Sequence, residues 1–273
     1  MDLPINHSNE QLVQAAFNGQ SSIFDELYAG NEIIRYKRRR VRKHLMKHLS
    51  PASDILELNA GTGEDAIFLA RQGHRVHATD ISSGMQLKLS EKLILQSLAG
   101  SVSQELCSFT ALDGLQNKGP FDCIFSNFAG LNCTDKLEQV LLGFDPLLKP
   151  GGLVVLVVLP KFCLWESFFV LKGKFKTATR RFFSSKGRSA NIDGASFKCW
   201  YYSPRFIKRT LKGKFDLLDE EGLCCLVPPS YVEKFPDKYP RIYSWLSKQE
   251  ERLKSHWPWK YIGDYFIISF RKS

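Results

Sequence analysis

Between residues 54 and 159, strand-length apolar runs alternate with segments of helical spacing, and this alternation restricts the fold of the 273-residue chain more than any other feature. Residues 54–59, 75–80, 105–111, 121–127 and 153–159 predict strands. Residues 64–73 carry Ala66, Ile67, Leu69 and Ala70 at helical spacing, and Ser82 and Ser83 open a second helix with Met85, Leu87, Leu89, Leu93 and Leu95. Alternation of this kind specifies a parallel sheet covered on both faces, with right-handed crossovers. Downstream, Ser203 and Pro204 supply the N-cap and first turn of another helix. Residues 215–226, 240–256 and 264–270 predict a strand, a helix and a final strand.

Ahead of this core, residues 22–49 have helical spacing, with Ile34, Val41, Leu45 and Leu49 on one stripe and a basic run from Arg35 to Lys43 around it. Pro51 punctuates the chain, so residues 1–50 are expected to form an N-terminal helical cap and residues 51–273 the core, with an insertion over about residues 161–202. The longest apolar run, residues 153–159, is too short to cross a bilayer. The N-terminus lacks a basic segment followed by an apolar stretch, so no secretory signal is expected. Seven cysteines without CxxC spacing or a nearby histidine pattern predict free thiols in a reducing cytoplasm, and no metal site.

The turn Glu57-Leu58-Asn59-Ala60-Gly61-Thr62-Gly63 joins the first strand to the first core helix. Its glycines let a ligand approach backbone amides at a helix N-terminus. Gly61-x-Gly63-x-x-Ala66 with Asp80 downstream would admit NAD, and charge separates the readings. A pyrophosphate would meet Glu57, Glu64 and Asp65, whereas a sulfonium and an ammonium group are favoured by acidic surroundings.

These residues resemble the first motif of class I S-adenosylmethionine-dependent methyltransferases, usually acid-x-Gly-x-Gly-x-Gly, with Asn59 standing where glycine is usual. Thr79-Asp80-Ile81-Ser82 resembles the second motif, and Phe121-Asp122 and Leu148-Lys149-Pro150-Gly151-Gly152 resemble the openings of the family's fourth and fifth strands. The resemblance implies an α/β, Rossmann-like, seven-stranded, mostly parallel sheet with an antiparallel last strand. It also implies S-adenosylmethionine as cofactor and S-adenosylhomocysteine as product. Carried over by position, it places Glu57, Asn59, Ala60, Gly61 and Gly63 at the methionine part of the cofactor, Asp80 at the ribose hydroxyls and Ile81 on the adenine. Asp113, with Gly114 or Leu115, would meet the adenine edge, and Asn127 and Phe128 would border the reactive methyl. Asp113-Gly114 also reads as an ordinary turn, and Asn127 as a turn residue.

Acceptor choice in such a family rests on the cap and on insertions beyond the sheet. Tyr28 and Tyr36 in the cap, and Trp165, Trp200 and Tyr201 in the insertion, are candidate acceptor contacts. The insertion interleaves aromatic residues, among them Phe162, Phe168, Phe169, Phe175, Phe182, Phe183 and Tyr202, with Lys172, Lys174, Lys176, Arg180, Arg181, Lys186 and Arg188. That mixture suits a lid over a small apolar or aromatic acceptor, with a basic rim for an anionic group or an acidic carrier protein. An RNA footprint, on a methyltransferase or on a non-catalytic binding protein, is the competing reading. Ser126-Asn127-Phe128-Ala129 departs from the Asn/Asp-Pro-Pro-aromatic motif of base-amine methyltransferases, and a nicotinamide oxidoreductase is the third reading. A solvated basic face is the simplest account of the charges. None of the six histidines stands out as a general base: His44, His48, His74 and His77 are expected at surface helix or strand positions, and His7 and His256 have no assigned place.

Overall fold

The computed structural model describes residues 8–168, 181 and 185–273. Three helices come first: α1 (Asn9–Gln20), α2 (Phe24–Ala29) and α3 (Glu32–His48). Helical spacing over residues 22–49 is thus broken at Gly30 and Asn31, because the Asn31 side chain accepts from the amides of Ile33 and Ile34 and starts a new helix. Sequence analysis did not anticipate α1, whose Ser8 cap and Gln11 form a reciprocal capping box. Helix α3 buries Ile33, Tyr36, Lys37, Arg40, Val41, His44 and Leu45. The basic run therefore lies partly inside the protein, and Ile34 is only half-buried.

The core alternates β1 (Asp54–Leu58), α4 (Glu64–Arg71), β2 (Arg75–Asp80), α5 (Ser83–Leu95), β3 (Val102–Leu106), β4 (Phe121–Ser126), α6 (Leu137–Leu142) and β5 (Leu148–Val158). A hairpin, β6 (Arg188–Ile192) and β7 (Ala195–Cys199), precedes the helix Pro204–Leu211, β8 (Phe215–Leu223), the helix Pro240–Leu253 and β9 (Tyr265–Lys272). Seven strands form one sheet in the order β3-β2-β1-β4-β5-β9-β8. All of its neighbouring pairs are parallel except those made by β9, which runs antiparallel to both β5 and β8. This is the expected Rossmann-like sheet with an antiparallel last strand.

Residue parity sorts the two faces, as it must when successive side chains point opposite ways. Leu56, Ile124, Leu156 and Ile268 pack toward α6 and the helix Pro204–Leu211. Ile55, Phe125, Val155 and Ile267 pack toward α3, α4 and α5. The third strand lies earlier than the expected 105–111. Past Leu106 the chain turns into a 3-10 segment, Phe109–Gly114, started by Ser108 accepting from the Thr110 amide. Leu112 and Leu115 are there buried beneath α6, which a continued strand would not allow.

The β6–β7 hairpin lies outside the main sheet and packs on α1, where Val13, Ala16 and Phe197 form a small separate core. Phe169, Phe175, Phe182, Phe183, Lys172, Lys174, Lys176 and Arg180, named above as lid residues, lie outside the described residues, as does His7. No helix among the described residues is long and apolar enough to cross a membrane.

Candidate active site

The parallel strands all end at one edge of the sheet, and α1, α2 and α3 cover it. Beneath them lies a cavity of about 330 Å3. Its floor is the turn after β1. Asn59, Gly61 and Gly63 there have φ of 48°, 57° and 79°. A Cβ on Gly63 would lie 2.1 Å from Leu89 Cδ1, so close approach of α5 as well as backbone conformation requires glycine.

Asn59 does more than tolerate a left-handed backbone. Its Nδ2 donates to the Asn127 carbonyl at 2.9 Å and its Oδ1 accepts from Ser126 Oγ at 2.6 Å, tying the end of β1 to the end of β4. Gly130 leaves room for it, since a Cβ there would come within 2.3 Å of the Asn59 side chain. A glycine at 59 would satisfy the dihedral and lose the clamp.

Two carboxylates face the cavity from the strand ends. Asp80 accepts from the amides of Gly61 and Ser82, each at 2.8 Å. Burial pushes its carboxyl above the ordinary range, while the amides of Ser82, Gly61 and Ile81 offset part of that. Glu57 is 3 % exposed, and its Oε2 has no hydrogen-bond partner. Burial, and then the nearby charge of Asp65, hold its carboxyl well above the usual carboxylate range.

Sequence analysis counted Glu57, Glu64 and Asp65 together as an acidic surrounding. The structure divides them. Asp65 accepts from Arg42 Nε and Asn127 Nδ2, both at 2.7 Å, and Glu64 meets Arg38 at 3.1 Å and Lys92 at 2.9 Å. Their charges are compensated within the fold. Among the described residues, Glu57 and Asp80 are the cavity carboxylates without an ion pair.

Ala60, Ile81, Asn127 and Phe128 join the cavity lining, as the sequence suggested. Phe128 and Ala129 both have positive φ, 49° and 60°, and Arg38 lies 5.1 Å from the Phe128 ring centroid. Asp113 and Gly114 are exposed and outside the lining; the late end of β3 was misread, and Phe109 from the same segment reaches the cavity instead.

Of the five aromatic residues expected at the acceptor, Tyr28 lines the cavity and the others do not. Tyr36 is buried against Glu250, to which its hydroxyl donates at 3.0 Å. Trp200 belongs to the main core, and Tyr201 is buried under the Arg181 guanidinium. Trp165 is half-buried with its indole nitrogen unpaired. Trp200 and Tyr202 are tied to the segments after β4 and β5, the Trp200 amide donating to the Asn132 carbonyl and the Tyr202 amide to the Leu159 carbonyl, a placement that composition does not reveal.

Residues that sequence analysis missed complete the wall. Val13 and Phe17 come from the unanticipated α1, Phe24 and Ile34 from the cap, Ile192 from the hairpin, and Lys37, Ser230 and Tyr265 from three distant segments. The cap is fastened directly to the cofactor turns. Asn18 Oδ1 accepts from Ser82 Oγ and the Gly84 amide, Gln14 donates to the Ile81 carbonyl, and Thr62 donates to Asp25.

His44, His74 and His77 are buried where surface positions were expected, His48 is half-buried beside Asp219, and His256 is exposed. His44 contacts Glu221 and Ser269 through its two ring nitrogens, His77 contacts Ser103 and Glu105, and His74 accepts from the Ser53 amide. Among the described residues, two clusters have metal-ligating atoms within 4.8 Å of one another, His44/His48/Asp219 and Cys163/Glu166/Asp264. The second is already bridged by Arg181, which contacts Glu166 at 2.6 Å and Asp264 at 2.7 Å.

Sheet order, glycine turn and strand-end carboxylates together are similar to those of class I S-adenosylmethionine-dependent methyltransferases. Residues 55–152 match the family model described as methyltransferase domain. An uncharacterized methyltransferase of Synechocystis sp. is 24% identical over 157 residues, which are 55% of this chain and 68% of that protein. A hybrid PKS-NRPS synthetase of Thermothelomyces thermophilus is 26% identical over 195 residues, 63% of this chain but only 5% of the synthetase's length. Among solved structures, 1,6-didemethyltoxoflavin-N1-methyltransferase of Burkholderia thailandensis, with bound S-adenosylhomocysteine, superposes with a TM-score of 0.57 at 17% identity, covering 100% of this chain and 93% of that one. S-adenosylmethionine is the cofactor that the family resemblance implies. Glu57 fits it, being a buried acid with an unpartnered oxygen beside a glycine turn.

Proposed function

We propose that this chain transfers the methyl group of S-adenosylmethionine to an oxygen or nitrogen atom of a small, apolar or aromatic acceptor. The carrying observation is the buried Glu57 carboxyl, whose Oε2 has no hydrogen-bond partner among the described residues, in a cavity that Val13, Phe17, Phe24, Ile34, Phe109 and Phe128 also line. Glu57 and the Ala60–Gly63 turn would hold the cofactor's methionine part, Asp80 the ribose hydroxyls, and Ile81 and Phe109 the adenine. Asn127 and Phe128 would border the methyl group. When bound, the sulfonium supplies a methyl that is already electrophilic. This chain's residues then exclude water and align the acceptor, a contribution worth roughly 7 to 11 kcal/mol in well-oriented systems.

Within this reading the acceptor is free or presented by an acidic carrier protein. The RNA reading loses support from the pairing of the basic run. Arg35 and Arg39 pair with Glu32, Arg38 with Glu64, Arg40 with Glu221, Arg42 with Asp65 and Lys43 with Glu251. Charges spent on intramolecular partners are poorly placed for phosphates. The seven free thiols fit a reducing compartment, the cytoplasm.

Two measurements test this. Calorimetry should show S-adenosylhomocysteine binding and no NAD binding; the reverse would sink the cofactor assignment. Incubation with methyl-labelled cofactor and fractionated cell extract should label a small molecule, insensitive to nuclease. Label that disappears with nuclease would favour RNA as acceptor.

A further inference from the structure

Most of the cavity wall is apolar, but one end carries a cation. Lys37 is 2 % exposed and lines the cavity from α3. Its Nζ donates to Ser230 Oγ at 3.0 Å and lies 4.5 Å from the Tyr265 ring centroid. The nearest carboxylate oxygen, Asp264 Oδ2, is 3.7 Å away, and the other oxygen of Asp264 is held by Arg181 at 2.7 Å. A buried ammonium ordinarily requires a close counter-ion and several acceptors. Lys37 has one neutral acceptor and a long, shared carboxylate.

Two phenols share the cavity with this ammonium. Tyr265 and Tyr28 both line the cavity, and neither hydroxyl forms a hydrogen bond with a described residue. The charge of Lys37 reaches both: it opposes the upward push that burial gives each phenol. The titratable groups facing Lys37 are thus Tyr28, Tyr265, Asp264 and Cys224. Lys37 itself is held above the ordinary lysine range despite its burial, because Tyr265 and Asp264 favour its charged form. A lysine that stays charged is no general base.

Its position is at the acceptor side. Tyr265 opens β9, three strands from β1 in the sheet order, which is about 14 Å at the usual inter-strand spacing. The cofactor turn is at β1, and Asn127 and Phe128 at the end of β4 lie between.

We propose that Lys37, with the hydroxyls of Ser230, Tyr28 and Tyr265, is an anion-recognition site that selects an apolar or aromatic acceptor bearing one ionised oxygen group, a carboxylate or an acidic phenol. This rests on the cofactor and acceptor placement above. A guest anion completes the ion pairing that Asp264 leaves long, and the phenols donate to it. Charge-assisted bonds in a water-poor cavity discriminate strongly against a neutral analogue that leaves the cation unpaired.

The experiment uses the full chain saturated with S-adenosylhomocysteine and two matched probe pairs, benzoate against benzamide and 4-nitrophenolate against 4-nitroanisole. Calorimetry is expected to show at least one anion binding about tenfold or more tighter than its neutral partner. A carboxylate preference and a phenolate preference distinguish the two acceptor types. Lys37→Met should abolish that preference while leaving S-adenosylhomocysteine affinity within about twofold. If Lys37→Met does not fold, Tyr265→Phe should reduce the preference several-fold and Lys37→Arg should keep it. The proposal is overturned if no anion outcompetes its neutral partner, or if a folded Lys37→Met or Tyr265→Phe variant keeps the wild-type discrimination. Failure of S-adenosylhomocysteine to bind the wild type would instead refute the cofactor reading.

Discussion

Glu57 joins stability and binding in one side chain. A carboxyl whose folded pKa is raised favours the fold fully only below the usual carboxylate range, and that contribution is lost as pH rises through the raised value. Glu57→Gln should therefore raise the unfolding midpoint of the ligand-free protein at pH 8, by about 1 kcal/mol or more, and the gain should shrink as pH falls toward about 4.5. The same variant should bind S-adenosylhomocysteine at least about tenfold more weakly. A variant that is no more stable, or that binds as well as wild type, would refute this account. Asn59 and Gly130 form a second test at this scale. Gly130→Ala should destabilise by roughly 1 to 3 kcal/mol through its clash with the Asn59 side chain, and much less in an Asn59→Gly background. Additive effects in a denaturant double-mutant cycle would mean the two positions are uncoupled.

Helix α3 is amphipathic in an unusual sense, because its inner face is charged. Arg40 bonds Tyr36 at 2.9 Å, Glu221 at 3.1 Å and Glu250 at 3.4 Å, and Glu250 also accepts from the amides of Cys224, Leu226 and Val227. The helix is fixed to β8 and to the helix Pro240–Leu253 by a network whose members cannot be removed singly. Arg40→Met should cost about 3 to 5 kcal/mol by leaving buried carboxylates uncompensated, measured by urea unfolding. A loss within the range of surface substitutions would show the network to be dispensable. Helices α1 and α2 have a different role. They cover the cavity, tied to the core through Asn18 and Asp25, and are expected to loosen when a ligand exchanges. Hydrogen exchange should slow in α1 and α2 when S-adenosylhomocysteine binds, and Asn18→Ala should speed ligand dissociation. Unchanged protection would place the entry route elsewhere.

For the molecule as a whole, the excess of ten positive charges overstates what is available to a partner, because so many basic residues pair internally. The same pairing sets the acid limit of the fold. Burial acts to raise Glu221, but the His44 hydrogen bond and the charges of His44, Arg40 and Lys254 outweigh it and depress the carboxyl. Glu251 is likewise depressed against its own burial by Lys43, Arg40 and Lys254. Depressed carboxyls contribute stability above the usual carboxylate range and lose it as pH falls through their folded values. Stability should hold from pH 7 to about 5 and decline steeply below about 4.5, with the decline shallower in Arg40→Met. A decline beginning near neutrality would point to the histidines instead.

What the sequence determined by itself was local and periodic. Alternating apolar runs dictated a parallel sheet, and the turn from Glu57 to Gly63 with Asp80 marked the cofactor end, because strand parity and glycine dihedrals are short-range matters. Tertiary structure decided which charges remain unpaired. Glu57, Glu64 and Asp65 look alike in sequence, and only the fold brings Arg38, Arg42 and Lys92 to two of them and leaves the third alone. It decided the proposed acceptor end too: Tyr28, Lys37, Ser230 and Tyr265 span most of the chain and line one cavity because β9 inserts antiparallel between β5 and β8 while α3 lies across them. Coulombic pairing and cavity walls depend on distances between residues far apart in sequence, and no periodicity encodes those.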